Sequence, residues 1–86
     1  MKFQGAVIKE QGITFAVVLV RIATLQSPAQ RDHAVTLYTD IFQGIPVMLT
    51  AKDPLGAVKY FGRSDIVTYL SKLKPSQIPW KEYTTT

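Results

Sequence analysis

Ile13-Thr14-Phe15-Ala16-Val17-Val18-Leu19-Val20 is apolar at odd and even positions alike from Phe15 onward. Successive side chains of a strand point to opposite faces, so such a run needs cover on both sides and belongs in the middle of a sheet. Upstream, residues 3–9 are again rich in Val, Ile, Phe and Ala. The polar break Glu10-Gln11-Gly12 between the two runs contains a glycine free to take a left-handed conformation. The two runs read as a β-hairpin.

Downstream, Ser27-Pro28-Ala29-Gln30 offers an N-cap serine, a proline for the first helical turn and a glutamine placed to close a capping box. Ala34, Val35, Tyr38, Ile41 and Phe42 recur at helical spacing, and Gly44 suits a C-terminal cap, which predicts a helix over residues 28–43. Ile45 to Ala51 reads as a strand with proline near its start, and Asp53-Pro54-Leu55-Gly56 as a turn into a second strand over residues 57–61. Ser64 then reads as an N-cap, and Ile66, Val67, Leu70 and Leu73 as the buried stripe of a helix that Pro75 stops. Residues 78–83 have no period. Pro75 and Pro79 restrict their neighbours to extended conformations, and Trp80 is placed to anchor the segment as a strap across the sheet or a helix face.

The order strand, strand, helix, strand, strand, helix predicts an α+β two-layer domain. Its four-stranded mixed sheet would carry both helices on one face, with residues 1–83 forming a single domain and residues 84–86 a flexible tail. The span 44–73, with Gly44-Ile45-Pro46, an apolar strand, a tight hairpin, a strand ending in Gly62 and a final helix, resembles the C-terminal half of the thioredoxin fold. In that family the proline peptide is cis and faces a redox dithiol. The resemblance therefore makes Ile45-Pro46 a candidate for a cis bond, while the missing Cys-x-x-Cys removes the thiol chemistry. The chain as a whole is also similar to small uncharacterised bacterial proteins, a resemblance that implies no activity.

Composition narrows the chemistry. At 47% hydrophobic and 19% charged, the 86 residues are too apolar for disorder, and the apolar runs are too interrupted to span a bilayer. With no cysteine and one histidine, disulfides, thiolate nucleophiles and His clusters are excluded. His33 sits beside Asp32 on a helix, where neighbouring side chains point about 100° apart and orient each other poorly for catalysis. The remaining carboxylates are scattered and no serine lies in a nucleophile elbow, so no enzyme activity and no cofactor are expected. No export signal is evident, and the expected location is cytoplasmic.

Two groups of residues stand out as ligand or partner sites. Arg63 and Ser64 open the second helix, where backbone N–H groups, a hydroxyl and a guanidinium would meet an anion; Asp65 competes for the same potential. Tyr60 on a short strand and Trp80 in the aperiodic segment are aromatics near Lys59, Arg63 and Lys81. These features point to a non-catalytic domain acting through protein contact or self-association, with a homodimer through sheet edges as one form. The alternative is a basic nucleic-acid-binding module, since ten Lys/Arg against six Asp/Glu leave a charge of +4, or anion and nucleotide binding at Arg63.

Overall fold

A computed structural model describes residues 1–10 and 12–85, with Pro75 described in its backbone alone. β1 (Lys2–Glu10) and β2 (Ile13–Leu19) form the hairpin, paired from Glu10↔Ile13 to Gly5↔Val18. Gly12 takes φ +78° in its turn; Gln11 lies outside the described residues. Two helices, α1 (Ile22–Gln26) and α2 (Pro28–Ile41), then carry the chain to β3 (Val47–Lys52), which runs parallel to β2 with Ala16 opposite Val47. β4 (Val58–Phe61) returns antiparallel. After α3 (Ser64–Ser71) and a 3-10 turn (Pro75–Gln77), β5 (Lys81–Thr84) pairs antiparallel with β1, giving the sheet order β4-β3-β2-β1-β5.

The chain is thus α+β around a mixed five-stranded sheet, with three helices among the described residues, where four strands and two helices were expected. It has three layers. Ala16, Val18, Val47 and Leu49 pack on one face against Ala34, Val35, Tyr38 and Ile41 of α2, while Phe15, Val17 and Met48 pack on the other against Ile66 and Leu70 of α3. The expectation of both helices on one face fails on its own premise. A central strand that is apolar on both sides needs cover on both faces, and α3, with Trp80 beside it, supplies it for Phe15, Val17 and Met48.

Local chemistry explains the element ends. Ser27 accepts the Gln30 N–H at 3.3 Å and Pro28 opens α2, as the sequence predicts; the helix ends at Ile41 rather than residue 43, where Gln43 turns to φ +59°. At α3 the cap is Arg63, not Ser64. Ser64 is already helical, and its carbonyl accepts the Thr68 hydroxyl at 2.8 Å. The Ile45–Pro46 peptide, a candidate for cis by the resemblance, is trans, and the carbonyl of Pro46 accepts the Ala16 N–H at 2.8 Å at the start of the β2–β3 ladder. The Asp53-Pro54-Leu55-Gly56 turn closes with the Gly56 N–H on the Asp53 carbonyl at 2.9 Å, and Asp53 Oδ1 accepts the Leu55 and Ala57 N–H groups, each at 2.9 Å.

Residues 78–83 dock as expected, with Trp80 against the Phe15 and Met48 side of the sheet, but they do not stay an irregular strap. They bring Ile78 into the core at 4% exposure, leave Trp80 half-buried, and continue as the edge strand β5. The inward-facing backbone groups of Lys81 and Tyr83 find partners in β1, a stronger requirement than docking two aromatics. Thr84 closes β5 and Thr85 exchanges backbone hydrogen bonds with Met1 at 2.8 and 3.0 Å, inside the stretch read from sequence as a loose tail; Thr86 lies outside the described residues. The aromatic core on the α2 side centres on Phe3, whose ring stacks on Tyr83 at 5.2 Å and meets Tyr38 edge-on at 4.9 Å.

A candidate recognition groove on the open half of the sheet

Helix length decides what the sheet leaves uncovered. α3 has eight residues, or about 12 Å of helix, against about 23 Å for the seven residues of β2, so it shields only part of its face. It covers the end of the sheet where Phe15 and Met48 lie. Beyond it, towards the ends of β2 and β3, a groove of about 260 Å³ opens. Its floor is Gln4, Leu19 and Thr50, and its sides include Tyr60 and Val58 from β4, Trp80 from the approach to β5, and Lys52.

Each side chain follows from strand parity. Tyr60 stands level with Thr50 on the α3 face, whereas Phe61 turns to the α2 face, where the Arg31 guanidinium lies 4.2 Å from its ring centre. Thr50 is the buried polar floor at 2% exposure, and its hydroxyl donates to the Lys59 carbonyl at 3.0 Å, so it belongs to the β3–β4 pairing. Leu19, 41% exposed on a strand otherwise buried from Phe15 to Val18, marks where helical cover stops. Partial burial raises the Tyr60 phenol above its ordinary value.

The structure therefore brings Tyr60 and Trp80 to one groove and leaves Arg63 and Ser64 out of it. At the start of α3, Arg63 Nε and Nη2 reach the Asp65 carboxylate at 3.1 and 2.7 Å. The hydrogen bond and charge of Asp65 hold the guanidinium above its usual range, and the hydrogen bond from Arg63 holds Asp65 below the usual carboxylate range. An anion arriving there would compete with the Asp65 carboxylate already paired to Arg63.

A second cleft of about 210 Å³ under α3 holds Glu10, Asp65, Tyr69 and Lys72. Tyr69 donates to Glu10 Oε2 at 3.2 Å; loss of hydration first, and then this bond to a carboxylate, push the Tyr69 phenol up. Glu10 is engaged by Tyr69 and Asp65 by Arg63, and the Thr68 hydroxyl donates to the Ser64 carbonyl. His33 is exposed on α2, along a shallow trough with Leu37 and Tyr38. Among the described residues no three His, Asp or Glu side chains gather as metal ligands, and no helix is long and apolar enough to cross a membrane.

Sequence reasoning named the two aromatic walls and missed the floor. The signal for it was the mismatch between a two-turn helix and the strands it must cover, which Gln4, Leu19 and Lys52 do not reveal one at a time. Compared with known proteins, the chain gives no significant match to any family model, curated protein or solved structure.

Proposed function

We propose that this protein is a non-catalytic recognition module that works by taking a flat, apolar group of a macromolecular partner into the Tyr60–Trp80 groove. The supporting observation is the pair of half-buried aromatics, from segments twenty residues apart, lining one uncovered patch of sheet. At about 260 Å³ the groove falls below the roughly 300–1,000 Å³ of small-molecule sites, so it suits a ring or side chain of something larger. The likeness of residues 44–73 to the C-terminal half of the thioredoxin fold belongs to this proposal, supported by the succession β3, β4, α3 and carrying no thiol chemistry.

The test uses anilinonaphthalene sulfonate, a flat aromatic anion that fluoresces on apolar surfaces. The folded protein is expected to enhance its emission, and Tyr60→Leu and Trp80→Ala each to abolish the enhancement while the protein stays folded by circular dichroism. Trp80 is only half-buried, so its truncation is expected to cost about 1 to 2 kcal/mol, below the roughly 3 to 5 kcal/mol of a buried tryptophan. Enhancement that survives both substitutions would place the apolar surface elsewhere. A second reading, pairing of two copies through a sheet edge, is favoured by the open outer sides of β4 and β5. It expects twice 9.6 kDa in sedimentation at high micromolar concentration, and a monomer there would exclude it.

A further inference from the structure

The end of the sheet at which this groove opens gathers cations. Lys52 lines the groove itself. Lys2 and Arg21 together line a broad open depression on the neighbouring surface, and Leu19 lines both concavities, so the two meet at that residue. Arg21 follows Val20, whose N–H donates to the Thr50 carbonyl at 2.8 Å, which sets it near the end of β3 where Lys52 stands. Lys59 is level with Ala51 on the next strand and exposed on the opposite face. Two carboxylates lie nearby. Asp53 has its Oδ1 turned into the turn backbone, and Glu82 on β5 stands level with Gln4, at the far rim.

We infer that the groove takes a base of single-stranded nucleic acid between Tyr60 and Trp80 while the phosphates run past Lys52, Arg21 and Lys2. The inference rests on the groove being a recognition surface, and it adds the class of partner. A flat ring joined to an anion a few ångströms away is the chemistry of a nucleotide, and base–aromatic stacking with a basic track is the general means of holding single strands. A duplex is disfavoured, because its bases are stacked inside and their faces are not offered to Tyr60 and Trp80. Glu82 stands on the same face beside Gln4, one pair along from Lys2, so it disfavours phosphate over β5 and the track is strongest at Lys52 and Arg21.

The experiment is fluorescence anisotropy with labelled thymidine and uridine oligonucleotides of about 12 residues, and with a duplex of the same length, at roughly 50 and 200 mM salt. Single strands are expected to bind more tightly than the duplex, and three phosphate contacts to weaken binding roughly 15- to 20-fold across that salt range. Tyr60→Leu is expected to lose roughly tenfold or more in affinity, reading the stack in a variant that keeps an apolar side chain. Lys52→Gln, Arg21→Gln and Lys2→Gln are each expected to lower the salt dependence by about one contact, and Glu82→Gln to tighten binding.

Duplex binding as tight as single-strand binding, or affinity unchanged in Tyr60→Leu, would reduce the interaction to a basic surface and overturn the inference. Equal competition by polyglutamate would overturn it in favour of an acidic protein partner. Absence of any salt-sensitive anisotropy change at high micromolar protein would also overturn it. If the aromatic anion probe still lights up through Tyr60 and Trp80 in that case, the groove stands without a nucleic-acid ligand; if the probe fails too, the groove itself falls.

Discussion

Phe3→Ala is expected to lower stability by about 3 to 5 kcal/mol, a large share of the roughly 5 to 15 kcal/mol that holds a domain folded. Phe3 is 7% exposed, and its ring is shared by three elements: stacked at 10° on Tyr83 of β5, edge-on to Tyr38 of α2, and 6.0 Å from Phe42 beyond the helix end. Phe42 and Tyr83 also touch each other at 5.3 Å, so removing the central ring leaves a void bordered by aromatics that cannot all close on it. A urea titration should show the midpoint falling in proportion. Tyr83→Phe, which keeps the stacked ring, should stay within about 0.5 kcal/mol of the parent. A cost below about 1 kcal/mol for Phe3→Ala would mean that α2 and β5 close the gap without the ring.

Gly62→Ala should be nearly as damaging, for a different reason. Gly62 joins β4 to α3 at φ +153°, in a region almost reserved for glycine, and a Cβ there would run into the sulfur of Met48 and lie 3.4 Å from the Met48 Cα. Backbone strain of about 1 to 3 kcal/mol and overpacking of about 1 to 3 kcal/mol act together, because Met48 is 2% exposed and has no free space to enter. Gly56→Ala separates the two terms. Gly56 also has positive φ, +86°, but nothing lies within 4 Å of its would-be Cβ, so it reports backbone strain alone. Gly62→Ala should therefore melt at least about 5 °C below Gly56→Ala, and equal melting temperatures would show that Met48 swings aside.

How legible this fold was depends on where the decisive interactions lie along the chain. The β2 run, the Ser27 cap and the Asp53 to Gly56 turn are local, with signals within a few residues of their causes, and the structure has all three. β5 is four residues, Lys81-Glu82-Tyr83-Thr84, with no alternation to read. It is a strand only because β1 lies beside it, and no window on the sequence contains both. α1, at five residues, is too short for periodicity to register and is held by its neighbours. The groove was half legible. Tyr60 and Trp80 stood out as aromatics outside any core stripe, but the floor between them exists only because α3 is shorter than the strands. Arg63 stood out as well, and a carboxylate two residues on takes up its charge.

The ladder between β1 and β5 also dictates the order in which this chain assembles. Lys2 pairs with Thr84 and Gly5 with Lys81, so it closes the longest loop in the chain, while β1–β2 and β3–β4 turn on a few residues each. Bringing such distant ends together carries an entropic cost that only a largely formed sheet can offset, which makes the docking of β5 the late event in folding and its release the early one in unfolding. Trp80 immediately precedes β5, so each such release also removes one wall of the groove. The partner that fills the groove would hold the end of the chain in place, and occupancy would be read as hydrogen exchange at Tyr83 and Thr85, whose N–H groups face β1, slowed relative to the free protein.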